Sequence, residues 1–149
     1  MLKAITAYKT IQDVPQKLNR YGEVDKYNQF DIFEVGDGAT ISLYTDAHAG
    51  TVIEVKRGGK EVTVQRDKAT LDKGWKPEIV PGGFAGHCTN QGTQVYTYER
   101  DPEGGVQTFT LRKVAQGEYA RFVWTRKGEA PNGYAAIYQG RNEYYDYNF

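Results

Sequence analysis

Cysteine is almost missing from this chain. Cys88 stands alone, so no disulfide can form within one molecule, and a single thiol fits a reducing compartment. Histidine is nearly as scarce, with only His48 and His87. Neither charge sign is in surplus: 19 basic residues meet 19 acidic ones. A protein that coats duplex DNA normally carries a marked basic excess, because neutralised phosphates drive its affinity, so bulk nucleic-acid coating is disfavoured. No apolar run approaches the length of a membrane span. The opening Met1-Leu2-Lys3-Ala4-Ile5-Thr6 is too short for a secretory signal, and the residues after it are too polar. The expectation is therefore a cytoplasmic protein that makes no membrane contact. Walker loops, nucleophile elbows and zinc-protease helices are absent as well.

What is present points to strands. Twelve Tyr outnumber six Phe and two Trp, and Tyr favours half-buried sheet surfaces where the ring packs and the hydroxyl stays wet. Seventeen Gly supply tight turns between short strands. With 149 residues, one domain can bury a real core.

The first 34 residues read as an N-terminal arm or helix. Thr10 and Asp13 have the spacing of a capping box, Ile11, Val14 and Leu18 have helical spacing, and Gly22 is the stop. From Val35 to Phe149 the body alternates with period two. Ala39–Tyr44 and Thr51–Val55 read as strands, Gly58-Gly59 as a hairpin turn, and Lys60–Arg66 as the returning partner. Val52, Val55, Val62 and Val64 are expected to line one core. Further strands are predicted over Gln94–Glu99, Val106–Arg112, Tyr119–Thr125 and Tyr134–Gln139. Between Asp67 and Thr93 lies a long Gly-rich insertion carrying Trp75 and Phe84, and a structureless loop of that length is uncommon unless functional.

Val35-Gly36-Asp37-Gly38-Ala39-Thr40-Ile41, then Gly50-Thr51-Val52-Ile53-Glu54-Val55 and Val62-Thr63-Val64, resemble the KOW and SH3-like barrel pattern. The resemblance implies a small SH3-like barrel, and the fold class expected is mostly β, with that barrel, the N-terminal helix or arm and the long insertion in one domain. A second resemblance covers most of Gly36–Phe149. Gly38-Ala39-Thr40, Thr51-Val52-Ile53, Val64–Ala69, Tyr98, Thr110-Leu111-Arg112-Lys113 and the late aromatic tail are similar to small uncharacterised proteins of phages and prophages. It implies a viral or prophage origin and acting in host cytoplasm. Some phage proteins of this size counter host defences by sequestering nucleotide-derived signals.

Catalytic groups are thin. Asp46-Ala47-His48 reads as an ordinary turn, and Gly86-His87-Cys88 offers two zinc ligands without the partners of a tetrahedral set. No catalytic residue, metal or cofactor is therefore expected. Binding groups are better populated: seven cations face four acids between Thr51 and Lys76, a surplus that fits a phosphate-facing edge or a solvated hairpin. The expected site joins Arg66, Lys68 and Arg112 for phosphates with Trp75, Phe84 and Tyr144 for stacking. Arg126-Lys127 could join the same rim, Asp67 caps a turn, and Lys60 stands apart on the hairpin. A small barrel has little interior, so the ligand is expected on its rim, under the insertion or between protomers of a homo-oligomer. The leading functional expectation is a non-enzymatic counter-defence protein that sequesters a cyclic-nucleotide or ADP-ribose type signal. The alternative is a KOW-like module that binds nucleic acid or the host transcription and translation machinery.

Overall fold

A computed structural model describes residues 30–82, 86–116, 119–132 and 134–148. The expected N-terminal helix and Phe84 lie outside the described residues. The strands run in chain order as β1 (Gly38–Ser42), β2 (Ala47–Lys56), β3 (Glu61–Arg66), β4 (Lys68–Leu71), β5 (Ile79–Val80), β6 (His87–Cys88), β7 (Tyr96–Glu99), β8 (Val106–Gln116), β9 (Tyr119–Arg126) and β10 (Ile137–Gln139). Six of these form one antiparallel sheet in the order β10-β1-β2-β3-β8-β9.

The sheet nearly closes into a barrel. Ser42 N donates to Ala136 O at 2.8 Å and Ala136 N donates to Trp124 O at 2.8 Å, so the segment leading into β10 bridges the two ends of the sheet. Closure shelters edge groups that would otherwise pair with another chain. The expected small, mostly β barrel is what forms.

Its core follows from the alternation, with one adjustment. Val52 pairs with Val64 and Val55 with Val62, so a spacing of three on β2 meets a spacing of two on β3. A β-bulge between Val52 and Glu54 takes up the extra residue. Val52, Val62 and Val64 are buried, Val55 packs against them from a partly buried position, and Ile53 turns outward. Phe33 and Trp124 meet edge to face at 5.5 Å between ring centres. Trp124 Nε1 donates to Asp31 O at 2.8 Å, which satisfies the indole N–H and ties residues 31–33 across the barrel. Each fully buried side chain of this size contributes roughly 1.5–3 kcal/mol. Gly50 lets β2 and β3 approach closely: a Cβ there would stand 2.6 Å from Val64 Cγ1 and 2.8 Å from Gln65 O.

Two loops differ from expectation. The β2–β3 connection is four residues, a 3-10 turn over Arg57–Gly59 closed by Lys60, in which Arg57 itself joins the glycines at positive φ (54°). The insertion is not a structureless loop. β4 pairs with β7, and β5 pairs with β6 in a short hairpin, because even two-residue strands satisfy backbone groups that an open loop would leave to water. The C-terminal residues 140–148 then strap the insertion to the barrel. Tyr144 forms a bridge with Ala47, Tyr147 N donates to Gln91 Oε1 at 2.9 Å, and Asn148 exchanges two hydrogen bonds with the Cys88 backbone.

Candidate functional site

Of the six residues singled out in the sequence, the five that are described do not converge. Arg66 ends β3 just beyond the Gln65–Val106 pair, whereas Arg112 lies beyond the Glu61–Thr110 pair. They therefore stand at opposite ends of the β3–β8 ladder, on the order of 20 Å apart at about 3.4 Å per strand residue. Arg66 is half exposed, with its guanidinium 3.6 Å from Glu143. Lys68 is exposed on β4 opposite Glu99. Trp75 is a docked ring, not a mobile lid: its Nε1 donates to Thr93 Oγ1 at 3.0 Å and its face tilts against Tyr147 at 5.6 Å. Tyr144 is half buried in the strap, where burial first and the Asp146 charge second push its phenol pKa upward.

At the Arg66 end, charge is spent on holding the chain together. Asp67 is buried; it is no simple turn cap. Its carboxylate accepts from Thr51 Oγ1 at 2.7 Å and from Arg141 Nε at 2.7 Å, while Arg141 Nη2 donates to Thr51 Oγ1 at 2.8 Å. Glu143 accepts from the Ala49 backbone N–H at 2.8 Å and meets His48 Nδ1 at 2.9 Å. Tyr98 Oη accepts from Glu143 N at 3.0 Å. Nearby, burial together with the Tyr147 and Glu143 charges raises the Tyr96 phenol pKa to about 12. Every carboxylate of this cluster has a cationic or N–H partner, as buried polar groups require.

The other end is arranged differently. A cleft of about 410 Å³ is lined by Arg57, Lys60, Arg112 and Lys127, with Thr110, Leu111 and Gly128 between them. Lys60, expected to stand apart, lines the same cleft as Arg112. Among the described residues, one acid forms ion pairs with two of the four cations. Glu61 is buried, its Oε1 lying 3.2 Å from Lys127 Nζ and 3.8 Å from Arg57 Nε, but that oxygen makes no well-formed hydrogen bond. The cations are thus drawn together without being locked to their counter-charge.

Across the Lys127–Ala130 turn lies a second, larger cleft of about 630 Å³, lined by Ser42, Leu43, Tyr44, Arg126, Glu129 and Tyr134, with Tyr138 on its margin. Tyr134 is 80% exposed, Tyr138 45% and Tyr44 94%. Arg126 is engaged at its base: Nη2 donates to Ser42 O, and the guanidinium lies over the Phe109 ring at 5.9 Å. Barrel closure makes this cleft, since it brings the β1–β2 loop to the end of β9.

Among the described residues there is no group of three or more His, Cys, Asp or Glu side chains able to hold a metal ion. No helix there is long and apolar enough to cross a membrane. Comparison with known proteins finds no matching family, curated protein or solved structure.

Arg57, Lys60 and Lys127 are visible in the sequence as cations at turns. Their convergence with Arg112 follows only from strand register. Arg141, Glu143 and Tyr44 carry no local signal that marks them.

Proposed function

We propose that this protein is a non-enzymatic binding module for a small phosphorylated ligand of nucleotide type, and that the cleft at the β2–β3 turn takes the phosphates. The observation that supports this reading most is the gathering of Arg57, Lys60, Arg112 and Lys127 around one cleft against the single acid Glu61. Like charges are brought together at a cost, which a multiply charged anion offsets through charge-assisted hydrogen bonds of roughly 1.5–3 kcal/mol each. Arg57 adds a second support, because a non-glycine residue at φ 54° is backbone strain of the kind that clusters at ligand sites. Arg112 keeps the phosphate-binding role expected from the sequence, and Arg57, Lys60 and Lys127 replace Arg66 and Lys68 beside it. Sequestration of a nucleotide-derived signal in host cytoplasm is the proposed setting, and it rests on the resemblance to phage and prophage proteins.

A second reading, single-stranded nucleic acid, is favoured by the exposure of Tyr44 and Tyr134 beside the cations. Stacked bases on open rings with cations along the backbone are the usual equipment of single-strand binders. Calorimetry separates the two. The small-ligand reading expects a cyclic dinucleotide or ADP-ribose to bind with one-site stoichiometry and to lose tenfold or more in Arg112→Ala. Oligonucleotide binding that grows with length and falls steeply with salt supports the second reading instead. Absence of binding to all of these probes and to pyrophosphate refutes both.

A further inference from the structure

The tyrosine cleft lies one tight turn away from the basic cleft, and its chemistry is complementary. Glu129 N donates to Arg126 O at 3.0 Å, so the chain reverses within Lys127–Glu129 and only this turn separates the two clefts. Residues 125 and 126 line one side, and residues 127 and 128 the other. Gly128 sits at φ +90°, and a Cβ built there would meet nothing within 4 Å, so a ligand can pass over bare backbone.

Charge gives the pair of clefts a direction. Arg126 is committed to the Ser42 carbonyl and the Phe109 face, and Glu129 lines the same cleft. A phosphate would be repelled there by Glu129 and attracted across the turn by four cations. A flat, uncharged heteroaromatic ring has the opposite preference. Tyr134 and Tyr138 line the cleft as exposed aromatic side chains, and Asn132 and Glu129 line it as polar ones. We infer that the Tyr134–Tyr138 cleft is a nucleobase subsite, so that one nucleotide straddles Gly128 with its base among the tyrosines and its phosphates among Arg57, Lys60, Arg112 and Lys127. This inference rests on the phosphate reading above and specifies the ligand further: a phosphate ester that carries a base, not a bare polyphosphate or a sugar phosphate.

Both rings are exposed and neither belongs to the barrel core, so their removal can be read without unfolding the domain. The experiment titrates ADP and inorganic pyrophosphate separately into the wild-type protein, the Tyr134→Ala/Tyr138→Ala variant and the Tyr134→Phe/Tyr138→Phe variant, with thermal melting in parallel. The double alanine variant is expected to weaken ADP about tenfold or more, the usual scale for a lost stacking partner, and to leave pyrophosphate within about twofold. The double phenylalanine variant keeps the rings and should bind ADP nearly as the wild type does. If ADP and pyrophosphate bind equally and the alanine variant changes neither, the base subsite is overturned and the phosphate reading stands. Equal weakening of both ligands also overturns it, because the rings then act on the phosphate cleft or the fold. If wild-type protein binds neither ligand, the phosphate reading itself falls, and this inference with it.

Discussion

Two ends of one barrel use charge in opposite ways. Around Asp67, Arg141, Glu143 and His48, acids and their partners alternate at hydrogen-bond distance, and Asp67 is sealed from water. Around Arg57, Lys60, Arg112 and Lys127, four cations share one open cleft with a single poorly bonded acid. The first arrangement lowers the energy of the folded chain by itself. The second gathers like charges, which repel one another, and the proposed anion would offset that cost. The contrast separates charges engaged with one another from charges that line an open cleft, even though both clusters are built from strand-end charges that look alike in sequence.

The harshest way to break the contrast is to remove what both ends share. Val64→Asp places an unpaired carboxylate in the barrel core, where Val64 is fully buried beside Val52. A loss above about 4 kcal/mol is expected, enough to unfold the domain and abolish both clusters. An unchanged melting temperature would show that β3 does not face a core. Next in size is the clamp. Asp67→Ala strands the Arg141 guanidinium and the Thr51 hydroxyl, at a cost of about 3 kcal/mol. That is the low end for breaking a buried pair, because Arg141 keeps a third of its side chain in water (32%). Urea unfolding measures it, and a loss below about 0.5 kcal/mol would reduce the clamp to decoration. Arg112→Ala, measured alongside, should stay within about 0.5 kcal/mol of wild type.

That pair of variants also marks where the sequence is readable. Period-two alternation from Ala39 to Arg66, and again from Val106 to Arg126, is a local signal, and the strands form there. Arg112 is readable as a strand cation, and it lines the basic cleft. Asp67 is not readable, because its partner Arg141 lies 74 residues away and nothing between them announces the contact. Arg66 shows the same limit from the other side. A cation at a strand end looks available until the strap lays Glu143 over it. The tyrosine cleft depends on closure, which brings Tyr44 after β1 and Tyr134 before β10 up to Thr125 and Arg126 of β9, the opposite edge of the sheet. The insertion reads as a loop because β5 and β6 are two residues each, too short to carry a period.

A smaller effect tests the strap through pH. Tyr96 donates from Oη to Gln94 Oε1 at 2.6 Å, and burial raises its phenol pKa from 10.0 to about 12. A raised folded-state pKa means the native chain holds the proton more tightly than the unfolded one, so this stabilisation is complete below pH 10 and is lost as pH climbs through about 12. Wild-type protein should lose stability over that window in denaturant titrations, and Tyr96→Phe should flatten that part of the profile. An identical slope in the variant would place the titration elsewhere.

The smallest expected change in stability belongs to the open end, and it carries the most information about function. Lys60 follows the Arg57–Gly59 turn, its backbone carbonyl accepts from Leu111 N at 2.8 Å, and its side chain lines the cleft. Lys60→Ala leaves that backbone bond in place and removes one of four like charges. Stability should therefore hold steady or rise by at most about 0.5 kcal/mol. Added salt screens like charges over about 10 Å at 0.1 M, so the wild type should gain more from salt than the variant does. Pyrophosphate affinity should move the other way, weakening roughly tenfold as one charge-assisted bond is lost. A change of opposite sign in stability and in affinity is the signature of a charge kept for a ligand. If Lys60→Ala instead destabilises the fold by about 2 kcal/mol, in the range of a group that satisfies buried partners, the cleft is a second clamp and the contrast between the two ends disappears.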